Sequence, residues 1–257
     1  MVLSIDLKGK CGIVVGIAND HSIAYGCARA FHQAGAALAV TYLNAKAEPY
    51  VRPLAQSLAA PLILPCDVQQ PGQLEAVFEA ARTQWGKVDF VLHSIAFASK
   101  DDLHGRVTDS SREGFLQAMD ISCHSFIRMA KLAEPLMPQG GSLLTISYMG
   151  SDEVVEHYGI MGPVKAALES TTRYLAAELG KQNIRVNALS PGAIATRAAS
   201  GIKDFATLLE EAAHKSPLHR GVAIDDVGNL AAFLVSDLAK NITGGVHYID
   251  AGYHMMD

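Results

Sequence analysis

Short apolar runs alternate with stretches of helical spacing along nearly the whole chain. Residues 11–17 (CGIVVGI) form a continuous apolar run of strand length, and residues 22–34 carry helical spacing that stops at Gly35. Residues 37–42 (ALAVTY) predict a second strand and residues 62–66 a third. A helix over 73–85 and a fourth strand over 88–93 (VDFVLH) come next. The pattern then predicts a long helix over 113–137, a strand over 142–147 and a helix over 158–179. A sixth strand over 184–189 and a short last one over 247–250 complete the series.

Strands made of unbroken apolar residues belong in a sheet covered on both faces, and strict alternation with helices implies parallel pairing through right-handed crossovers. The expected fold is α/β, a single doubly wound parallel sheet with helices on both faces. Ligands in such sheets bind beyond the carboxyl ends of the strands. Two connections are long, 94–112 and 190–216. The second contains IKDFATLLEEAAHK, whose apolar spacing predicts a short flap helix over the cleft. No repeat or linker interrupts the chain, so residues 1–257 are expected to form one domain.

Composition narrows the partners. The chain has 257 residues, 49% of them hydrophobic, and a formal net charge of -5. That balance gives no electrostatic reason to bind nucleic acid. No apolar run approaches the roughly 20 residues that span a bilayer, and the first residues lack the apolar core of an export signal. A cytoplasmic protein with small-molecule or protein partners and no membrane association is expected. Cys11, Cys27, Cys66 and Cys123 have no metal-ligand spacing and sit in apolar surroundings. They read as buried free thiols, with no metal site.

The loops after the strands carry the chemistry. After the first strand, Gly16 can supply a tight bend, and Ser22 a helix start with a hydroxyl for a phosphate oxygen. Ala24 and Gly26 are small enough for close helix–strand packing. The plain G-x-G-x-x-G of dinucleotide sites is absent. Asp67, after the third strand, suits an adenine amino group or a helix cap. His93 reads as a core histidine. The second strand ends Tyr42-Leu43-Asn44-Ala45-Lys46, with neither the acid usual for NAD nor the arginine usual for NADP. The lack of a basic pair leans to NADH, with NADPH left open by Lys46.

Tyr158 and Lys165 stand seven residues apart in YGIMGPVK. A phenol aimed at a carbonyl oxygen stabilises charge that a hydride pushes onto it. A nearby ammonium lowers the phenol's pKa and can hold a cofactor ribose. On a helix, seven residues turn through about 700° and rise about 10.5 Å, so the pair would keep one face with two turns between. Pro163 falls early in that helix, where its missing N–H costs least. The same spacing also fits two residues that merely share a helix face.

Several motifs together resemble the short-chain dehydrogenase/reductase superfamily, and within it the enoyl-acyl-carrier-protein reductases of bacterial fatty-acid synthesis. They are G-x5-S-I-A at Gly16, Ser22, Ile23 and Ala24, C-D-V at residues 66–68, and HSIAFA at 93–98. To these add Tyr148, Tyr158 and Lys165 in Y-x9-Y-x6-K, and AASGIKDF at 198–205. The resemblance runs the full length and implies a Rossmann-like fold. It implies that Tyr158 bonds the thioester carbonyl, that Lys165 holds the nicotinamide ribose, and that Tyr148 takes the place of the superfamily's catalytic serine. It further implies cofactor contacts from Gly16, Ser22, Ile23, Leu43, Asp67, Val68, Ile95, Ile194 and Thr196, and acyl contacts from Ala98, Met161, Ile202 and Phe205. Ser122 stands where the superfamily has an asparagine. The implied partner is an enoyl-acyl carrier protein and the implied assembly a homotetramer built on the two long helices. Two departures are Gly159, where the family commonly has asparagine, and Arg197 in the flap.

The leading expectation is NADH-dependent reduction of the 2,3 double bond of trans-2-enoyl thioesters. The alternatives are an ordinary ketone or alcohol dehydrogenase and a non-catalytic dinucleotide-binding regulator. The ketone reductase is disfavoured because position 162 is glycine, not the lysine that a four-residue spacing requires.

Overall fold

The structure is a computed structural model that describes residues 4–196 and 205–256. Its sheet has seven parallel strands in the order β3-β2-β1-β4-β5-β6-β7. In chain order these are β1 (Cys11–Val15), β2 (Ala37–Tyr42), β3 (Leu62–Pro65), β4 (Phe90–His93), β5 (Gly141–Ile146), β6 (Ile184–Pro191) and β7 (Val246–Ile249). The chain runs outward from β1 to β3, then returns to the other side of β1 as β4. Strand order therefore reverses between β1 and β4, the place where doubly wound sheets hold ligands. The apolar runs locate all seven strands to within two residues at each end.

Alternate strand residues supply two cores. Ile13, Val15, Val91, Leu143 and Val186 face α3 (Gln73–Trp85), α6 (Ser125–Ala133) and α7 (Met161–Leu179). Val14, Leu38, Val40, Leu92 and Leu189 face α1 (Ile23–Gln33), α2 (Glu48–Ser57) and α9 (Ile224–Val235). Helices α1 and α9 touch backbone to backbone: a Cβ on Gly26 would overlap the carbonyl of Ile224. Only glycine permits that approach.

Neither α2 nor α9 is among the elements that the pattern predicts. α2 contains Pro49 and Pro53, and α9 contains Gly228, residues that weaken a helix signal. Tertiary burial of Val51 and Ala55, and of Val227 and Ala231, overrides that weakness. The connection 94–112 holds α4 (Lys100–His104). The predicted flap helix is present as α8 (Phe205–Lys215).

Two predicted helices differ. The helix over 113–137 is α5 (Arg112–Met119), a π-helical turn over Asp120–His124, α6, and a final 3-10 turn at Glu134–Leu136. The widened turn brings buried Ser122 to the Phe97 backbone, where its Oγ accepts from Phe97 N at 3.0 Å and donates to Phe97 O at 3.3 Å. The helix over 158–179 begins only at Met161. Gly159 adopts φ +49, a left-handed conformation that no helix residue takes. Tyr158 therefore sits in the turn before α7. The two-turn helical separation from Lys165 does not hold.

Candidate active site

The sequence-expected cofactor residues follow the carboxyl ends of five strands. Gly16 makes the bend after β1 at φ +119, and a Cβ there would overlap the carbonyl of Ser94 after β4. The loops after β1 and β4 thus pack backbone to backbone at the switch point. Ser22 occupies the N-cap position of α1, but its hydroxyl is not free for phosphate. It accepts from the backbone N–H groups of Ala18 and Asn19 at 3.0 Å each and donates to Asn19 Oδ1 at 3.2 Å. The hydroxyl thus folds the turn. It leaves the N-terminus of α1 without a side-chain cap and without an acidic residue in the first turn, which Ile23 opens. Uncapped N–H groups at the positive end of a helix fit an anion such as a pyrophosphate.

Leu43 stands exposed just past β2. Asp67 accepts from Gln69 N–H at 3.0 Å through Oδ1, and its own N–H donates to Gln73 Oε1. It caps a turn rather than α3, whose N-cap is Gly72. Val68 is buried, and Arg128 holds its carbonyl at 2.7 Å. Ile95 is half-buried after β4, as are Ile194 and Thr196 beyond β6. Ile202 and Arg197 lie outside the described residues, and of Phe205 only its place at the start of α8 is described.

The second cluster lies at the end of β5 and the start of α7. Tyr148 follows β5 in extended conformation, and its ring meets that of Tyr158 with centroids 5.0 Å apart, tilted by 60°. Gly150 gives the Tyr158 ring room, since a Cβ there would come within 2.7 Å of it. Ala98, Met161 and Tyr158 join one apolar cluster with Ile160 and Val164. Lys165 is 5% exposed and donates from Nζ to the Ile146 carbonyl at 2.6 Å.

Burial dominates the ionisation here. It pushes the Tyr158 phenol far above the ordinary tyrosine value, with Tyr148 and Glu169 adding to the rise. The expected lowering by Lys165 is not found. Burial likewise raises Tyr148 to about 12, and it lowers Lys165 to about 8 against the opposing pull of Glu169 and Cys123. Tyr158 is accordingly a neutral hydrogen-bond donor. His93 is the core histidine expected: Nδ1 meets Thr145 and Nε2 meets Ser125, each at 2.8 Å. Burial, then Lys165, drives its pKa down to about 3. All four cysteines are buried free thiols.

Sequence reasoning missed Glu169. It is 4% exposed on α7, one turn beyond Lys165, and accepts from Ser147 Oγ and, at 2.7 Å, from Ser151 Oγ. The signal was available as an acid four residues after the key lysine on an otherwise apolar helix face.

A family model described as Enoyl-(Acyl carrier protein) reductase matches residues 16–254. The chain belongs to that family. The enoyl-acyl-carrier-protein reductase (NADH) 1 of Rhizobium meliloti strain 1021 is 48% identical over 248 residues, covering 96% of this chain and 91% of that protein. The FabI enoyl reductase (NADH) of Nostoc sp. is 47% identical over 255 residues, covering 98% and 99%. Among solved structures, the family's reductase from Anaplasma phagocytophilum in complex with NAD superposes with TM-score 0.93 at 47% identity, covering 97% of this chain and 95% of that one. The Bacillus cereus reductase with NADP+ and indole naphthyridinone gives TM-score 0.95 at 44% identity, covering 98% and 99%. Each of these four matches over nearly its full length.

Proposed function

We propose that the protein reduces the 2,3 double bond of trans-2-enoyl-acyl-carrier-protein thioesters to the saturated acyl chain with NADH. The observation that carries this reading is the packing of Tyr158 against Tyr148 at the end of β5, where buried Lys165 also bonds the Ile146 carbonyl. The bound dinucleotide supplies the hydride, delivered to the β-carbon of the substrate. Negative charge then builds on the thioester oxygen, and Tyr158 donates a hydrogen bond to it as an enolate. A phenol kept neutral by burial retains the proton that this bond requires. Lys165 uses one of its three N–H donors on Ile146 O, which leaves two for the ribose hydroxyls. Tyr148 backs the Tyr158 ring.

The uncapped start of α1, with Gly16, Ser22 and Ile23, cradles the pyrophosphate through backbone groups. Asp67 would meet the adenine amino group, and Val68, Leu43, Ile95, Ile194 and Thr196 would line the rest of the dinucleotide. Ala98 and Met161 form an apolar wall beside Tyr158 that suits the acyl chain. The family resemblance adds Ile202 and Phe205 to it. No arginine follows β2, which favours NADH, and Lys46 is the side chain through which NADPH would be accepted.

The chain works as one catalytic domain. Exposed Leu116 on α5, Ile127 on α6 and Tyr174 on α7 support a homotetramer through these helices. No helix among the described residues is long and apolar enough to cross a membrane. The protein acts in the cytoplasm on a carrier-protein partner. The test is NADH oxidation with crotonyl or longer enoyl thioesters. Binding of NADH without turnover on any of them would overturn the reading. A ketone reductase would instead turn over keto substrates.

A further inference from the structure

Glu169 is a buried acid in a site whose proposed chemistry does not use it. It lies on α7 four residues past Lys165, on the same face of the helix. Its Oε1 accepts from both Ser147 and Ser151, which bracket Tyr148 on the segment leaving β5. Burying a carboxylate is costly unless it is hydrogen-bonded, and the two hydroxyls supply that bonding to its Oε1. Lys165 stands one helical turn back on the same face.

We propose that Glu169 is a positioning residue of this site, whose single carboxylate clamps the Ser147–Ser151 segment that presents Tyr148 and balances the ammonium of Lys165. The inference rests on the reductase reading for its effect on turnover, but not for its effect on Lys165.

The surroundings of Lys165 single out this acid. The titratable groups that act on it or that it acts on are Glu169 on α7, Cys123 in the π-helical turn and His93 on β4. Burial keeps His93 and Cys123 in their neutral forms near neutral pH. Glu169 is the acid among these three. Lys165 Nζ meanwhile bonds Ile146 O, two residues before Tyr148. Lysine and glutamate thus hold the β5 exit from one helix, at Ile146 by the ammonium and at Ser147 and Ser151 by the carboxylate.

Three variants test this: Glu169→Gln, Glu169→Asp, and the double variant Ser147→Ala/Ser151→Ala. Loss of the contact is separated from loss of folding by reading the Lys165 side chain directly, through NMR titration of labelled lysine in cofactor-free protein. In Glu169→Gln, Lys165 is expected to titrate at lower pH than in the parent, and the NADH Kd to rise roughly tenfold near pH 8, the effect of losing one charge-assisted bond. Glu169→Asp restores the titration. The serine double variant shifts the Tyr148 ring resonances and lowers kcat roughly tenfold through misplacement. Parent-like Lys165 titration in Glu169→Gln, or parent-like Tyr148 resonances in the serine variant, overturns the proposal. Failure of the parent to turn over any enoyl thioester would sink the reductase reading alone, because the lysine and tyrosine resonances remain readable.

Discussion

Tyr158 lies against Tyr148 with ring centroids 5.0 Å apart, and it does so from the turn before α7 rather than from the helix that carries Lys165. The seven-residue spacing is therefore a turn plus one helical stretch. Gly159 makes the turn, and burial beneath Tyr148 keeps the Tyr158 phenol protonated.

Removing that phenol oxygen isolates its role. Tyr158→Phe keeps the ring and its packing, so NADH Kd should stay at the parent value. Turnover of crotonyl thioester should fall by roughly 100-fold or more, as expected for loss of an oxyanion donor. Fluorescence titration and steady-state rates check the two halves separately. Parent-like turnover would show that another group holds the thioester oxygen.

Gly159 answers the departure from the family's asparagine. At φ +49 a side chain is strained, and asparagine tolerates this region better than alanine. An added Cβ would also overlap the Leu103 carbonyl. Gly159→Ala should cost about 1–3 kcal/mol, and Gly159→Asn should cost less. Urea denaturation ranks them, and equal stability of alanine and glycine would refute the strain.

Lys165 sets a pH limit on cofactor binding. Burial lowers its pKa from 10.5 to about 8, so the ammonium is present below that value and lost above it. NADH affinity should weaken as pH rises through this region. In Lys165→Met, affinity should be poor at every pH and lack that limb. A parent profile that stays flat into the alkaline range would argue against the ribose contact.

His93 makes the fold sensitive to acid. Its folded pKa is about 3 against an ordinary 6.5, because burial disfavours the charged ring. Below pH 6.5 the unfolded chain binds a proton that the folded one refuses, so stability falls as pH drops from 6.5 towards 3. Between pH 7 and 5 the loss from this group is about 2 kcal/mol. Denaturant unfolding of His93→Asn should show a shallower acid limb than the parent.

The strand series, the parallel sheet and the tyrosine–lysine set are legible in the residues alone. Buried strands write themselves as apolar runs, and side chains such as Tyr158 and Lys165 carry recognisable chemistry wherever they fall. Local pattern is less informative where backbone shape or distant packing decides. Nothing around Gly159 announces that α7 begins three residues after Tyr158, because a left-handed φ is imposed by the α4 carbonyls it packs against. Helices α2 and α9 form despite their prolines and glycine because the sheet buries Val51 and Val227. Ser22 has the chemistry of a phosphate ligand, yet its own turn consumes the hydroxyl. Glu169 gains its place only when β5 and α7 come together, bringing Ser147 and Ser151 onto one carboxylate from 22 and 18 residues away. Such contacts join residues far apart in the chain, and only the packed fold brings them within bonding distance.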